Sequence, residues 1–263
     1  LSKPCGRFVL FSNLVKLAFA LFTVAFLFST SVHAEEALTP AQKKAVEATI
    51  ENYLLSHPEV IVQALQRMQD RDKRNKESQV MGFLESKKDK IRNDPNSYVG
   101  GNPNGDVTLV EFFDYRCGYC KKFHPVMEEL LKTDKNLRVV YKEFPILGPE
   151  SMLASQAAIA ALLQDRKLYL PFHTALMEAK GSLTQARILD IAEETGLDIG
   201  RLKNNLQAAK IKEVVAGNYE IAQNLGITGT PGFVIGDTVI PGYVNADQMR
   251  RLIAEARSGC KTC

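Results

Sequence analysis

The sequence predicts an α/β fold interrupted by an inserted helical domain and preceded by a separate α-helical segment. Three observations carry this. VTLVEFFDY (107–115) is rich in β-branched and aromatic residues and reads as a buried strand; residues 117–132 are helix-patterned, and LRVVYKEF (137–144) is a second strand. Together they make a strand–helix–strand unit. A region rich in Ala, Leu, Gln and Glu then runs from about Ser151 to Leu225, helical with expected breaks at Gly181, Gly196 and Gly217. Finally, GTPGFVIGDTVIPGY (229–243) reads as a hairpin turning at Gly236-Asp237, closed by a helix over 246–257. The main domain is therefore expected over 100–257, with its helical insertion at about 150–226.

Before that domain, residues 1–34 carry Lys3, Arg7 and Lys16, no acid, an apolar run from Leu17 to Phe28, and Val32-His33-Ala34 at the end. This is the pattern of a secretory leader cleaved after Ala34, which makes the periplasm the expected compartment. The run is short for a bilayer span. Cys5 precedes it, and so cannot be the lipid-bearing cysteine that follows a lipoprotein leader. Without residues 1–34, 30 basic and 30 acidic side chains remain, so the basic balance belongs to the leader and nucleic acid is not an expected partner.

Residues 35–99 read as a helical oligomerisation segment and linker. Thr39-Pro40-Ala41-Gln42 supplies a capping hydroxyl, a first-turn proline and a glutamine at N3. Ala45, Val46, Ile50, Tyr53 and Leu54 follow as an apolar stripe. Ser56-His57-Pro58-Glu59 restarts a helix that carries Ile61, Ala64, Leu65 and Met68 on one face. The stripe then vanishes in the charged spacer QDRDKRNKESQ and resumes weakly at Val80, Phe83, Leu84 and Ile91, a pattern that does not support a continuous coiled coil over the whole stretch. Helices this narrow cannot bury an apolar face alone, and the polar spacer favours self-association over docking on the same chain. GGNPNG (100–105) reads as the boundary.

Four cysteines follow the leader, paired in sequence as Cys117/Cys120 and Cys260/Cys263. A small disulfide-stapled scaffold is excluded, because the chain is long enough to build a core. Zinc would need the second pair close by, with His124 as a possible third ligand; Cys260 and Cys263 instead lie far along the chain, in the tail 258–263. As a structural disulfide, C-x-x-C closes too short a loop to remove much chain entropy. A redox pair fits the position. Cys117 falls where a strand meets a helix, and the unpaired N–H groups and helix dipole there stabilise a thiolate. Cys120, one turn on, is close enough to resolve a mixed disulfide.

Four features of residues 106–257 resemble the DsbA family of thiol–disulfide oxidoreductases, which have a thioredoxin fold with a helical insertion. They are Cys117-Gly118-Tyr119-Cys120 after a strand, Pro125 in the following helix, Glu111 six residues before Cys117, and Gly229-Thr230-Pro231 before a strand. The resemblance implies an accessible, reactive Cys117 and a buried, resolving Cys120. It implies that Glu111 relays the Cys120 proton, although an acid paired with Lys142 is an equal reading. It further implies a cis Thr230-Pro231 bond beside the disulfide, with Thr230, Pro231, Gly118 and Tyr119 contacting an extended client segment. No metal or other cofactor is implied beyond the Cys117–Cys120 disulfide.

The Gly-Tyr dipeptide and the threonine before the proline are similar instead to the isomerases DsbC and DsbG, which are dimers. The resemblance thus implies oxidase, isomerase or mixed activity on unfolded or misoxidised secreted proteins, a membrane redox partner similar to DsbB or DsbD, and a homo-oligomer, a dimer favoured. Cys260 and Cys263 could pair with each other, join protomers or relay electrons. Two rivals of another class are a surface-associated oligomeric binding protein that uses the fold as a scaffold, and a metal-binding protein.

Overall fold

The computed structural model describes residues 38–259. The expected leader with Cys5, and the tail cysteines Cys260 and Cys263, lie outside the described residues. The chain divides into two compact units between Gln69 and Asp70. That division falls well before the boundary expected at 99/100, because residues 84 to 101 are built into the main core.

In the first unit, helix α1 (Pro40–Ser56) starts on the expected capping box, in which the Thr39 side chain accepts from the Gln42 backbone and the Gln42 side chain accepts from the Thr39 N–H. Helix α2 (Glu59–Ser86) restarts after Pro58 and runs unbroken through the charged spacer, across the division. No residue of α1 is buried. Val46, Ile50, Tyr53, Ile61, Leu65 and Met68 are all exposed.

The second unit begins within α2, where Leu84 is buried, and continues into α3 (Lys88–Arg92), which buries Ile91. The sheet comprises β1 (Tyr98–Gly101), β2 (Val107–Phe113), β3 (Leu137–Glu143), β4 (Gly232–Ile235) and β5 (Thr238–Ile240), in the order β1-β3-β2-β4-β5. Strands β2 and β3 are parallel, as a strand–helix–strand unit requires; the other pairs are antiparallel. Helix α4 (Gly118–Thr133) joins β2 to β3. The insertion consists of α5 (Pro149–Gln164), α6 (Arg166–Glu178), α7 (Gln185–Glu194), α8 (Ile199–Asn205) and α9 (Ala209–Asn224), and α10 (Ala246–Ser258) closes the chain. Among the described residues no helix is long and apolar enough to cross a membrane.

The central strands are covered on both faces, which explains why they read as continuous apolar runs. Leu109, Phe113, Val139, Tyr141 and Phe233 face α4, α10 and the insertion. Val110, Phe112, Val140 and Val234 face Leu84, Ile91, Ile221 and Leu225.

Three sequence expectations change. Strand β1 occupies Tyr98–Gly101, where a boundary was expected; its glycines admit the β3 backbone, and a Cβ at Gly101 would collide with the Leu137 carbonyl. Gly217 lies inside α9 rather than at a break. Gly181 and Gly196 do sit between helices, with φ of 79° and 86°, whereas Gly217 keeps a negative φ. Finally, Lys142 does not pair with Glu111. It is fully buried, its ammonium 2.7 Å from Asp94 Oδ2 and 2.9 Å from the Lys90 carbonyl. The reason is register: Glu111 lies opposite Tyr141 and Phe112 opposite Lys142, so the two side chains leave the sheet on opposite faces. Burial pulls the Lys142 pKa down while Asp94 opposes it. Asp94, despite its own burial, is held below the usual carboxylate range by Lys142.

Candidate active site

Strand β2 ends at Phe113, and Asp114-Tyr115-Arg116 carry the chain to Cys117, the N-cap of α4. The Cys117 Sγ accepts from the Cys120 N–H at 3.4 Å, in place of the usual capping oxygen. Its thiol donates to the Thr230 carbonyl at 3.1 Å. Both cysteines are free thiols in this structure. Cys117 is 7 % exposed and Cys120 1 %, so the nucleophile expected to be accessible is largely covered, though less so than its partner.

The two thiols are driven apart electrostatically. A hydrogen bond from the Cys120 thiol, opposed by burial and aided by the Thr230 side chain and the backbone N–H groups of the first turn, lowers the Cys117 pKa to about 5. Burial, the hydrogen bond it gives to Cys117 and the nearby Glu111 charge push the Cys120 pKa strongly upward. The reduced pair is thus one thiolate and one thiol at neutral pH. Such a pair contains both the attacking group and the group that keeps the proton.

Glu111 is 4 % exposed, with no side-chain hydrogen bond or ion pair among the described residues. Burial, and secondarily the Cys117 thiolate, raise its pKa to about 8. A carboxyl with that pKa can exchange a proton near neutrality. Thr230 is half-buried and Pro231 buried, joined by a cis bond. Gly118 and Tyr119 are exposed on the same turn as Cys117. Pro125 lies inside α4. The structure therefore brings six of the seven sequence-predicted site residues to the start of α4 and the loop facing it, with Glu111 on β2 close enough for its charge to act on both thiols. His124, the possible third zinc ligand, is buried, and its ring lies 5.4 Å from that of His173. Among the described residues, no group of three or more His, Cys, Asp or Glu side chains is placed to hold a metal ion.

Two positioning residues escaped the sequence reading. The fully buried Asp114 carboxylate accepts from the N–H groups of Arg116, Ile146 and Leu147 and from the Ser151 hydroxyl, all at 2.7–2.9 Å. It ties the cysteine loop to the start of the insertion. Its signal was present, an aspartate just past a strand end, where such residues cap turns. Lys121 follows Cys120 directly, and its ammonium donates to the carbonyls of Leu176, Met177 and Ala179 at 3.3, 2.9 and 2.8 Å. These carbonyls lie at the C-terminal end of α6, so Lys121 caps an insertion helix from the redox helix.

Residues 108–254, more than half of the chain, match the DSBA-like thioredoxin domain family. The chain belongs to that family. Residues 42–74 match the N-terminal domain of the copper resistance protein ScsC. The DsbA-like domain is similar to a solved thioredoxin-like oxidoreductase from Silicibacter pomeroyi, at 43 % identity over 65 % of this chain and 97 % of that one, with a TM-score of 0.62. A Proteus mirabilis ScsC structure in a transitional conformation is 33 % identical over 86 % of this chain and all of its own, with a TM-score of 0.63. A curated relative, Na(+)/H(+) antiporter NhaA 1 of Salinispora arenicola, is 28 % identical over 166 residues, and the chain spans a quarter of that antiporter's length. The shared family chemistry is thiol–disulfide oxidoreduction.

The DsbA-like site makes stability depend on pH and redox state together. The Cys117 pKa is lowered on folding, so the thiolate stabilises the reduced fold fully at high pH and loses that effect as pH falls through about 5. Glu111 works in the opposite sense, stabilising while protonated and less so as pH rises towards about 8. A disulfide removes the Cys117 titration. The stability advantage of reduced over oxidised protein is therefore expected to widen between pH 5 and 9, by roughly 2–5 kcal/mol. Urea unfolding of both forms across that range checks it, and a gap independent of pH would contradict the thiolate assignment.

Proposed function

We propose that the chain is an exported, periplasmic oxidoreductase that forms or isomerises disulfides in unfolded or misoxidised secreted proteins through the Cys117-Gly118-Tyr119-Cys120 pair. The observation that carries this is the asymmetry of the pair, with a lowered Cys117 pKa beside a raised Cys120 pKa at a helix start. In the oxidising direction a client thiolate attacks the Cys117 sulfur of the Cys117–Cys120 disulfide, and Cys120 leaves and takes up a proton. A second client thiolate attacks the client sulfur of that mixed disulfide and expels the Cys117 thiolate. Two electrons pass to the protein and one disulfide passes to the client. In the isomerising direction the Cys117 thiolate attacks a wrong client disulfide, the client thiolate released attacks another client disulfide, and a client thiolate finally attacks the client sulfur of the mixed disulfide and expels the Cys117 thiolate, with no net electron transfer.

Glu111 is the proposed acid–base partner of Cys120, and Thr230 and Pro231 line the path of the client backbone. A membrane thiol–disulfide protein resets the pair. No metal or other cofactor takes part. The isomerase side is supported by Gly118-Tyr119 and Thr230, and by the exposed apolar residues of α1 and the start of α2, which fit a homo-oligomer with a dimer favoured.

The test uses the purified full chain. The oxidised form should oxidise a reduced client, the reduced form should reactivate a scrambled-disulfide client, and the sedimentation mass should exceed one chain. Failure of the first two would sink the exchange reading; failure of reactivation alone would leave an oxidase.

A further inference from the structure

Helix α4 presents Tyr119, Lys122 and Phe123 at i, i+3 and i+4, so they share one face of its first turns. All three surround Tyr243, in the segment between β5 and α10. The Tyr119 ring lies 5.5 Å from that of Tyr243, and the Phe123 ring meets Tyr243 edge-on at 6.4 Å. Phe123 in turn packs on Phe233 of β4 at 4.7 Å. A column of rings thus runs from the sheet to the surface and ends in Tyr119, which is 59 % exposed and two residues from Cys117.

The charges around it are unevenly matched. Of the three cations flanking the cysteines, Arg116 pairs with Glu150 at 3.2 Å. Lys121 is drawn into the fold by its three carbonyls. Lys122 is exposed, its ammonium 5.0 Å above the Tyr243 ring, and it has no carboxylate partner among the described residues. The Tyr119 and Tyr243 hydroxyls likewise donate to nothing among the described residues. Donors and positive charge without an acceptor, set on a rigid aromatic support beside the reacting sulfur, call for an anion that arrives with the substrate.

We propose that Tyr119, Lys122 and Tyr243 form a recognition shelf for client segments that carry a carboxylate side chain close to their reacting cysteine. This rests on the disulfide-exchange reading above. The stem of a client glutamate packs on the two rings, and its carboxylate meets Lys122 and a tyrosine hydroxyl. In the oxidised protein Lys122 attracts an acidic client to the disulfide, and in the reduced protein it also offsets the repulsion that the Cys117 thiolate exerts on that client. A lysine in the same client position meets Lys122 as a like charge.

The experiment uses oxidised full-length protein and three single-cysteine peptides that differ only in having Glu, Gln or Lys two residues from the cysteine. Mixed-disulfide formation is followed by rapid quench and mass spectrometry. A neighbouring charge also alters the peptide thiol itself, so the quantity read is the Glu-to-Lys rate ratio in wild type divided by the same ratio in Lys122→Gln. A quotient of about two to five at low salt, shrinking towards one in high salt, is expected for one exposed charge pair. A quotient of one at low salt overturns the shelf while leaving disulfide exchange intact. If even the Gln peptide forms no mixed disulfide with either protein, the exchange reading itself falls, and the shelf with it.

Discussion

Cys117→Ser is expected to lower client oxidation by about a thousandfold or more, to the background rate of the oxidant. A serine hydroxyl does not ionise near neutrality and forms no disulfide, so neither the attacking nor the accepting sulfur survives. The change is nearly isosteric, and the N-cap contact from the Cys120 N–H can be kept by the hydroxyl oxygen, so the fold should persist. The informative companion is Cys120→Ser. It leaves the reactive Cys117 in place but removes the thiol that would displace a bound client, and mixed disulfides through Cys117 should accumulate on non-reducing gels. Retained exchange in Cys117→Ser together with lost exchange in Cys120→Ser would reverse the two roles.

The second large effect is on stability. Asp114→Ala removes a fully buried carboxylate and leaves three backbone N–H groups and the Ser151 hydroxyl without their acceptor. Buried donors stripped of a charged partner cost roughly 3–5 kcal/mol in all. For a chain of this size that is a fall in Tm on the order of 10 °C. Asp114→Asn keeps an acceptor oxygen and should recover part of the loss. Because Asp114 holds both the Arg116 backbone and the 146–147 loop, the alanine variant should also slow disulfide exchange by more than its unfolded fraction explains. Calorimetry beside exchange rates on the folded protein separates the two. Wild-type stability in Asp114→Ala would remove Asp114 as an anchor.

What could be read in advance was local. The strand–helix–strand unit, the Gly236-Asp237 turn and the Thr39–Gln42 capping box each depend on residues close together in sequence, and each stands as expected. The redox pair was legible for the same reason, since a C-x-x-C at a strand–helix junction fixes its own surroundings. The misreadings are all tertiary. YVGG looks like a linker until the β3 backbone is found beside it. Gly217 looks like a helix break, but it keeps a helical backbone beside Asn218, whose amide donates to the Glu143 carbonyl. A helical glycine costs about 1 kcal/mol, which packing readily offsets. Lys121 had no readable signal, because its acceptors lie more than fifty residues further on. A Glu111–Lys142 pair stood as an equal reading beside the proton relay only because sequence hides which side of a strand each occupies.

That last feature has a practical outcome. The sheet works as a partition, with Glu111 on one side and Lys142 on the other. The charge changes that accompany reduction fall on the Glu111 side, while the Lys142–Asp94 clamp that holds the 90–97 segment lies on the other. Sites that share no partner contribute nearly independently. Substitutions meant to tune the reduction potential and substitutions meant to harden the scaffold can therefore be chosen from opposite sides and combined, each set behaving in the joint variant much as it does alone.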